Sequence, residues 1–309
     1  MTRPSASPPQ PSQAEVPGGA VAQILGQRRQ QEDSLRLTGF TSGGSRGLLA
    51  LVCDGMGGHP GGDRASGLVA DQFIEHFLNA SGTMPERLRR ALTGAHEALQ
   101  QAASANPALE DMGTTLVAAC VVGAELYWLS VGDSLLWLLR QGQLQRLNED
   151  HSMAPVFERL VAMGEMSATA AEQDGQRHAL RSVVTRQPIH RVDGPEQPLR
   201  LQPGDAVLVA SDGLGDLAAE DIIAALAPSA GNTEQRLQSL FERLQQRQDP
   251  QQDNASAVLL EIPPHTDSAL ATGGGITPRS PSRWLHPIGC ILVALILFLI
   301  VTEVVGDLQ

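Results

Sequence analysis

The stretch "LLALVCDGMGGH", residues 48–59, decides the fold, because an unbroken apolar run in it leads directly into Asp54-Gly55. The stretch "AVLVASDGLGD", residues 206–216, repeats the arrangement and ends its apolar run at Asp212-Gly213. Short apolar runs bounded in this way are typical of strands. An isolated Asp-Gly is most often only a turn signal. Two of them at strand ends, far apart in the chain, predict more than turns, since a rigid sheet can point both side chains at one spot.

Two further acidic pairs stand where predicted strands begin. Asp253-Asn254 comes directly before the apolar run "ASAVLLEI", and Glu32-Asp33 lies near the start of the chain. Carboxylates gathered at one point hold hard divalent cations. Because the pattern contains no clustered Cys or His, its chemistry favours Mg²⁺ or Mn²⁺ over Zn²⁺. The acidic pairs therefore predict a divalent-metal site of the kind found in metal-dependent hydrolases.

The composition limits the classes of function. The chain has 309 residues, of which 42% are hydrophobic and 3% aromatic, so its core must rest on aliphatic side chains. The net charge of −12 and the pI of about 5.1 argue against a nucleic-acid partner, because no basic stripe is present to neutralise phosphates. Cys53, Cys120 and Cys290 lie in apolar runs without zinc-like spacing, which indicates buried, reduced thiols of a cytosolic domain.

The middle of the chain alternates between strand and helix patterns. Short, branched runs predict strands at 48–53, 115–122, 126–131, 135–140, 206–211 and 256–262. Helical spacing predicts helices at 66–79, 85–104, 153–163, 219–226 and 233–248. The stretch 121–147 reads as an antiparallel meander of three strands. Consecutive strands with helices grouped apart favour an α+β, layered antiparallel fold over a parallel dinucleotide-binding fold.

Composition divides the chain into four parts. Residues 1–19 are rich in Pro, Ser and Gln and are predicted to be a disordered N-terminal segment without a secretory signal. Residues 20–263 are the predicted folded domain. Residues 264–283 are punctuated by Gly and Pro and predict a flexible linker. Residues 284–305 follow as a long apolar span.

The apolar span predicts a single transmembrane helix, since about 20 apolar residues cross a bilayer core. Arg279 and Arg283 precede the span, while Glu303 and Asp307 lie at its end. The positive-inside rule then places the N-terminal domain in the cytoplasm. A buried core helix is the alternative, but the run is apolar on every face and follows a linker. We therefore expect residues 284–305 to anchor the chain in a lipid bilayer.

Seven sequence blocks occur in series along the chain. They are "GQRRQQEDSL" (26–35), "VCDGMGGHPGGDRAS" (52–66), "MGTTLVA" (112–118), "LSVGDSLLW" (129–137), "LNEDHSM" (147–153), "LQPGDAVLVASDGLGD" (201–216) and "QQDNASAVLLE" (251–261). In this order the chain resembles the metal-dependent type 2C serine/threonine protein phosphatases, specifically the bacterial branch, over about residues 20–262. The resemblance implies two antiparallel β-sheets packed as a sandwich flanked by helices. It also implies a binuclear Mn²⁺ or Mg²⁺ site at one end of the sandwich.

The resemblance implies which residues hold the metals. Asp54 resembles the carboxylate that bridges both ions, and the carbonyl of Gly55 resembles a further ligand. Glu32 resembles a ligand of one ion, directly or through water. Asp212 and Asp253 resemble ligands of the other ion. Two further carboxylates, in "VGDS" and "SDGLGD", resemble positions that can hold a third, weaker metal: Asp133 and Asp216.

The resemblance also assigns the substrate and water contacts. Arg28 resembles the arginine that binds the substrate phosphate, with Arg29 as the adjacent alternative, and a planar guanidinium suits phosphate oxygens. Asp33 resembles a carboxylate that orients water at the metals. A phosphate ester repels an acidic site, so paired cations must mask the charge and activate a water. Hydrolysis is therefore expected to be direct, without a phosphoenzyme.

Several positions depart from the family or carry a second interpretation. Met56 stands where eukaryotic members place a histidine as the proposed general acid, and His59 is only a weak candidate for that role. Asp150-His151-Ser152 could suggest a hydrolase triad, but a structural turn or helix cap is favoured, since Ser152 suits a cap. Thr114-Thr115 are expected to support the site through packing. The stretch from about 153 to 190 corresponds to the variable flap of the family.

The expected function is that of a protein phosphatase on phosphoserine and phosphothreonine, which reverses bacterial Ser/Thr kinase signalling from the cytoplasmic face of the inner membrane. Its expected partners are phosphorylated proteins, a Ser/Thr kinase or its substrates, and the lipid bilayer. The first alternative is a catalytically weak, phosphatase-like adaptor that binds phosphoproteins. The second is a phosphatase of partner-switching regulators, but Arg28 and the "VGDS" block favour the serine/threonine branch.

Overall fold

The structure is a computed structural model, and it describes residues 18–56, 61–215 and 217–262. Its eleven described strands are β1 (Gly18–Ile24), β2 (Asp33–Ser42), β3 (Ser45–Met56), β4 (Gly113–Thr114), β5 (Leu116–Val122), β6 (Glu125–Val131), β7 (Leu135–Arg140), β8 (Gln143–Arg146), β9 (Leu199–Arg200), β10 (Ala206–Ala210) and β11 (Ala255–Glu261). Its described α-helices are α1 (Gly62–Asn79), α2 (Met84–Ala105), α3 (Ala154–Ala162), α4 (Ala168–Gln173), α5 (Ala219–Ala225) and α6 (Thr233–Gln246).

The strands form two antiparallel sheets. One sheet has the order β1-β11-β10-β7-β8, and the other has the order β2-β3-β5-β6-β9, with the short β4 pairing with β3. Helices α1 and α2 cover one sheet, while α5 and α6 cover the other. The predicted α+β sandwich with flanking helices is therefore confirmed for the described residues.

Strand β3 shows how the sequence produces these layers. Side chains of a strand alternate between its two faces. Leu49 and Leu51 face the helices, whereas Ala50 and Val52 face the other sheet, and all four are fully buried. A strand buried on both faces needs apolar residues at every position, which explains the unbroken run at 48–53.

Two predictions about the strands need correction. The stretch 121–147 is not one meander, because β6 pairs within one sheet while β7 pairs with β10 and β8 in the other. The connection at Gly132, where φ is +106°, therefore crosses between the sheets. Strand β1 begins at Gly18, inside the segment predicted to be disordered, since Gly18 pairs with Glu261 of β11.

The register of β1 against β11 also fixes where the described domain begins and ends. Gly18 lies opposite Glu261, and Ile24 lies opposite Ala255. Both ends of the described chain therefore leave from one end of the sheet, and the acidic residues beside Ala255 lie at the other.

No helix among residues 18–56, 61–215 and 217–262 has the length and apolar character needed to cross a membrane. The predicted span 284–305 and the linker before it lie outside the described residues.

Candidate active site

Strand ends from both sheets converge on one pocket of about 630 Å³. Residues at the C-terminal end of β3, shortly after the ends of β1 and β10, and before the start of β11 contribute to its lining. Carboxylates dominate the wall: Glu32, Asp54, Asp133, Asp212 and Asp253. Gly55 and Arg28 line the same pocket. The structure thus brings together seven of the nine predicted site residues from five separate segments of the chain.

Asp33 lies behind the pocket rather than in its lining. It pairs with Asp54 across β2 and β3 and is 5% exposed. Ser211 donates from Oγ to Asp33 Oδ2 at 2.7 Å, while Asp33 Oδ1 has no hydrogen-bond partner among the described residues. Burial, reinforced by the charges of Asp212 and Asp253, raises the pKa of Asp33 to about 6 despite the hydrogen bonds of Ser211 and Ser256. Asp33 is therefore placed to support the carboxylates of the pocket.

Asp54 is held at the centre of the acidic set by its backbone. Its N–H donates to Thr115 Oγ1 at 3.0 Å, and its carbonyl accepts from Thr115 N at 2.9 Å and from Thr114 Oγ1 at 2.9 Å. Burial and the like charges of Asp33 and Asp212 raise the pKa of Asp54 well above its usual range. The two threonines thus hold the site by hydrogen bonds, and Thr115 also lines the pocket, which the prediction of mere packing support missed.

Gly55 permits a close approach of three chain segments. Its N–H donates to the Glu32 carbonyl at 3.1 Å. A Cβ at this position would collide with the carbonyl oxygens of Gly62 and Glu32, both of which are backbone atoms. Gly55 lies within β3 and pairs with Thr114, so it is not the turn that an Asp-Gly dipeptide usually signals. The close approach of these three segments therefore requires glycine at position 55.

Asp133 sits on the connection that crosses from β6 to β7. Burial, with smaller contributions from the charges of Asp212 and Asp150, raises its pKa to about 7. Arg146 Nη2 donates to the Asp133 carbonyl at 2.9 Å and fixes the loop. Its predicted companion at a third metal position, Asp216, lies outside the described residues.

Arg28 is paired with one of the predicted metal ligands. Its Nη2 donates to Asp253 Oδ2 at 2.5 Å, and its side chain remains 58% exposed. Arg29 lines the same pocket. The guanidinium of Arg28 therefore lies at the mouth of the pocket, beside the carboxylates that it would have to share with any cation.

The oxygen atoms that line the pocket are suited to divalent cations. Within the described residues, no three His, Cys, Asp or Glu side chains are already arranged to hold one ion. However, the pocket gathers several carboxylates whose pKa values are raised by burial and mutual repulsion. A bound cation would relieve the repulsion among these carboxylates and stabilise their ionised forms. In addition, Asp33 Oδ1 is a buried acceptor that receives no hydrogen bond from the described residues. All its side-chain donors are oxygens, which fits Mg²⁺ or Mn²⁺.

Two candidates do not join the site. His151 is buried, and its Nδ1 accepts from the Gly132 N–H at 3.2 Å. Ser152 Oγ accepts from the N–H of Ala154 at the start of α3. Neither residue lines the pocket. Their contacts therefore support a structural role rather than a catalytic triad. His59 lies outside the described residues, and Met56 is at the pocket wall with 40% exposure.

Sequence reasoning missed two contributions to the site. Asn254 Oδ1 accepts from the Glu32 N–H at 2.8 Å, and its Nδ2 donates to the Leu25 carbonyl at 2.8 Å. The only available signal was its position beside Asp253. The second contribution is the rim formed by His178, Ala179 and Leu180. These residues belong to the irregular flap, where no periodicity indicates which side chains face the pocket.

We predict a pH dependence of the stability of the metal-free protein. Asp33 and Asp133 have folded-state pKa values of about 6 and about 7, above the ordinary 3.8. Between about pH 4 and 7 the folded state therefore binds more protons than the unfolded state, and the free energy of unfolding falls as the pH rises. Thermal unfolding in a chelator should give a higher Tm at pH 5 than at pH 7.5.

Added Mn²⁺ competes with those protons for the carboxylates. The rise in the Tm of the protein on adding Mn²⁺ should therefore be larger at pH 7.5 than at pH 5. Asp33→Asn should reduce the pH dependence, whereas Asp71→Asn, at an exposed ion pair with Arg36, should leave it unchanged. A metal-free Tm that rises from pH 5 to 7.5 would contradict the assignment of the raised pKa values.

Comparisons with known proteins identify several relatives of this chain. Residues 25–262 match the profile of the family Protein phosphatase 2C. The serine/threonine protein phosphatase PstP of Mycobacterium tuberculosis is 33% identical over 178 residues, which cover 57% of this chain and 33% of that protein. The serine/threonine phosphatase stp of Listeria monocytogenes is 29% identical over 181 residues, covering 56% of this chain and 68% of that protein. The match thus spans about a third of the length of the mycobacterial relative.

Solved structures give the same result for the fold. The crystal structure of the Mycobacterium tuberculosis phosphatase PstP/Ppp is similar with a TM-score of 0.66 and 28% identity, covering 81% of this chain and 100% of that chain. The catalytic domain of PstP, solved in complex with two manganese ions, is similar with a TM-score of 0.64 and 28% identity. This match covers 80% of the present chain and 99% of the PstP catalytic domain.

Proposed function

The chain belongs to the protein phosphatase 2C family, and on this premise we propose that it hydrolyses phosphoserine and phosphothreonine in proteins. The observation that carries the proposal is the single pocket in which Asp54, Asp212 and Asp253 meet beside Arg28. An acidic pocket repels a phosphate dianion, so the geometry is useful for this substrate only when cations share the pocket. The PstP catalytic domain was solved with two manganese ions, which supports the same chemistry here.

We assign the metal-holding role to Glu32, Asp54, the Gly55 carbonyl, Asp212 and Asp253, with Asp133 and Asp216 as a weaker third position. Two Mn²⁺ or Mg²⁺ ions, when bound there, would neutralise the phosphate charge and lower the pKa of a water. Arg28 at the mouth would hold the phosphate oxygens and orient the ester. Asp33 Oδ1, which accepts no hydrogen bond from the described residues, is available to orient the attacking water.

The leaving oxygen of serine or threonine needs a proton. The position of the proposed histidine acid of eukaryotic members is occupied by Met56, which has no titratable group. The pocket is open to solvent at this side, since Met56 is 40% exposed. We therefore assign the protonation of the leaving group to solvent water.

The experiment that tests this function is hydrolysis of a phosphothreonine peptide by the full chain, with and without Mn²⁺. Phosphate release that requires Mn²⁺ and is lost in Asp212→Asn would support the enzyme and the site together. If the folded protein released no phosphate with Mn²⁺ but bound the phosphopeptide, the adaptor alternative would be correct. No contact among the described residues favours the adaptor, because each predicted carboxylate that they include lines or backs the pocket.

We predict that Arg28→Ala raises KM for the phosphopeptide about 10- to 100-fold, since a hydrogen bond to a charged group contributes about 1.5–3 kcal/mol. The same substitution removes the ion pair with Asp253, so the affinity for Mn²⁺ should not weaken. Steady-state kinetics and Mn²⁺ titration check the two parts separately. Arg29→Ala is the matched control from the same pocket wall and should change KM less; equal effects of the two substitutions would remove the assignment to Arg28.

We also propose that residues 284–305 anchor the protein in the bacterial inner membrane, with the catalytic domain in the cytoplasm, where it would act on a Ser/Thr kinase or its substrates. The apolar span and the arginines before it support this proposal. The test is membrane fractionation of the full chain beside a variant that lacks residues 276–309. The full chain should resist extraction at high pH and the shortened chain should be released, with its phosphatase activity retained. Release of both proteins would refute the anchor.

A further inference from the structure

A second groove, of about 540 Å³, lies next to the catalytic pocket. The end of β1 and the turn after it form one wall, with Ile24, Leu25 and Gln27. The C-terminal part of α6 and the loop after it form the other wall, with Leu244, Gln245, Gln248, Asp249 and Gln252. We call this the Leu25 groove. Gln27 lines both the groove and the catalytic pocket, so the two depressions are adjacent.

The backbone that carries Leu25 is fixed by hydrogen bonds. The Leu25 carbonyl accepts from Asn254 Nδ2 at 2.8 Å, and the Gln27 N–H donates to the Gln252 carbonyl at 2.8 Å. Between them, Gly26 has a φ of +64°, and a Cβ there would collide with the Gln252 and Asp253 carbonyls. The chain is thus held tightly, yet the Leu25 side chain is 44% exposed. Scattered exposed leucines are common, but this one is held rigidly in a concave surface.

The same loop shapes the groove and the catalytic pocket. Gln252 lines the groove, and the adjacent Asp253 lines the pocket. Asn254 joins the two sites directly, because its side chain binds the Leu25 carbonyl on one side and the Glu32 N–H on the other. An extended peptide whose phosphorylated residue lies in the pocket would therefore pass over Gln27 and reach the groove with a neighbouring residue.

We propose that the Leu25 groove is a subsite for an apolar side chain of the phosphoprotein substrate, close in sequence to the phosphorylated residue. This inference rests on the proposed phosphatase function. Ile24 and Leu25 supply apolar surface beside the buried Leu244, and the exposed side chains of Gln27, Gln245 and Gln248 can exchange hydrogen bonds with a peptide backbone. Among the described lining residues the sole charged side chain is Asp249, so the groove offers no cation to an acidic residue. It favours Leu, Ile, Met or Phe over Asp or Glu.

The test compares phosphothreonine peptides with p-nitrophenyl phosphate, which has no flanking residues. In the peptides, leucine or glutamate is placed in turn at each of the three positions on either side of the phosphothreonine. The full-length wild type should prefer leucine over glutamate at one of these positions by about tenfold in kcat/KM, as expected for one apolar side chain in a pocket. In Leu25→Ala this preference should fall to about twofold, mainly through KM.

Val21→Ala is the matched control, because Val21 is 48% exposed on β1, the strand that leads to Leu25, and does not line the groove. It should keep the leucine preference. The inference is overturned if the wild type shows no preference at any position, if Leu25→Ala keeps it, or if Leu25→Ala lowers kcat/KM for p-nitrophenyl phosphate as much as for the peptide. A wild type that hydrolyses neither substrate with Mn²⁺ would instead overturn the proposed function, and the inference with it.

Discussion

Asp54→Asn is expected to lower kcat/KM for a phosphothreonine peptide by about a thousandfold or more, while the metal-free protein becomes slightly more stable. The loss of turnover follows from removing the carboxylate at the centre of the acidic pocket, where cations stabilise the transition state by several kcal/mol. The gain in stability follows from the raised pKa of Asp54, which shows that its ionised form is disfavoured in the folded state. A neutral amide of the same shape removes that repulsion.

These two effects separate a catalytic role from a folding role. Phosphate release measures the first, and thermal unfolding in a chelator at pH 7.5 measures the second. Asp205→Asn is the matched control at the far end of β10. The buried Asp205 carboxylate accepts from Arg140 Nε at 3.0 Å and from Nη2 at 2.6 Å in an ion pair whose arginine is half-buried. Its substitution should lower the Tm and leave turnover nearly unchanged, since breaking a buried pair is destabilising. Near-normal turnover in Asp54→Asn would overturn its assignment to the metals.

Gly55→Ala is expected to destabilise the protein by about 3 kcal/mol and to abolish Mn²⁺-dependent turnover. The added Cβ would meet the backbone carbonyl groups of Gly62 and Glu32, which cannot move aside as a flexible side chain can. Relief of the collision requires β3, the start of α1 and the segment before β2 to separate. That separation would displace Asp54 and Glu32 from the pocket together.

Thermal unfolding checks the size of this effect, because about 3 kcal/mol corresponds to a fall in Tm of roughly 6–12 °C for a domain of this size. Gly39→Ala is the matched control. Gly39 also lies in a strand, and a Cβ there would meet no atom within 4 Å. It should leave both Tm and turnover close to those of the wild type. If Gly55→Ala behaved like Gly39→Ala, the close packing described around Gly55 would be contradicted.

The fold could be predicted where burial dictates the sequence pattern. Strand β3 is buried on both faces, so its apolar run was recognisable without a structure. Strand β1 was missed, because its "GGAVAQI" is mostly exposed or half-exposed and carries no clear apolar run. The connection at Gly132 shows a different limit. A short turn between two strands looks alike in sequence whether the second strand returns in the same sheet or enters the other one.

The candidate site was predictable to the level of its carboxylates, because acidic residues at strand ends are placed by the strands themselves. Pairwise contacts were not predictable. The ion pair between Arg28 and Asp253 joins residues 225 positions apart, and nothing in either segment indicates it. The link from Asn254 to Leu25 and Glu32 likewise depends on how two loops meet, which is decided by tertiary packing rather than by local pattern.

The pairing of Gly18 with Glu261 has a consequence for rearranging the chain. Directly opposed residues of antiparallel strands lie about 5 Å apart, so a short peptide could join the two ends of the described domain into a continuous loop. New ends could then be opened at the turn of Gly123 and Ala124, between β5 and β6, where a Cβ on Gly123 would meet nothing within 4 Å. That turn lies at the end of its sheet opposite Thr115 and Asp133. The domain is therefore suited to circular permutation without cutting any segment that lines the pocket.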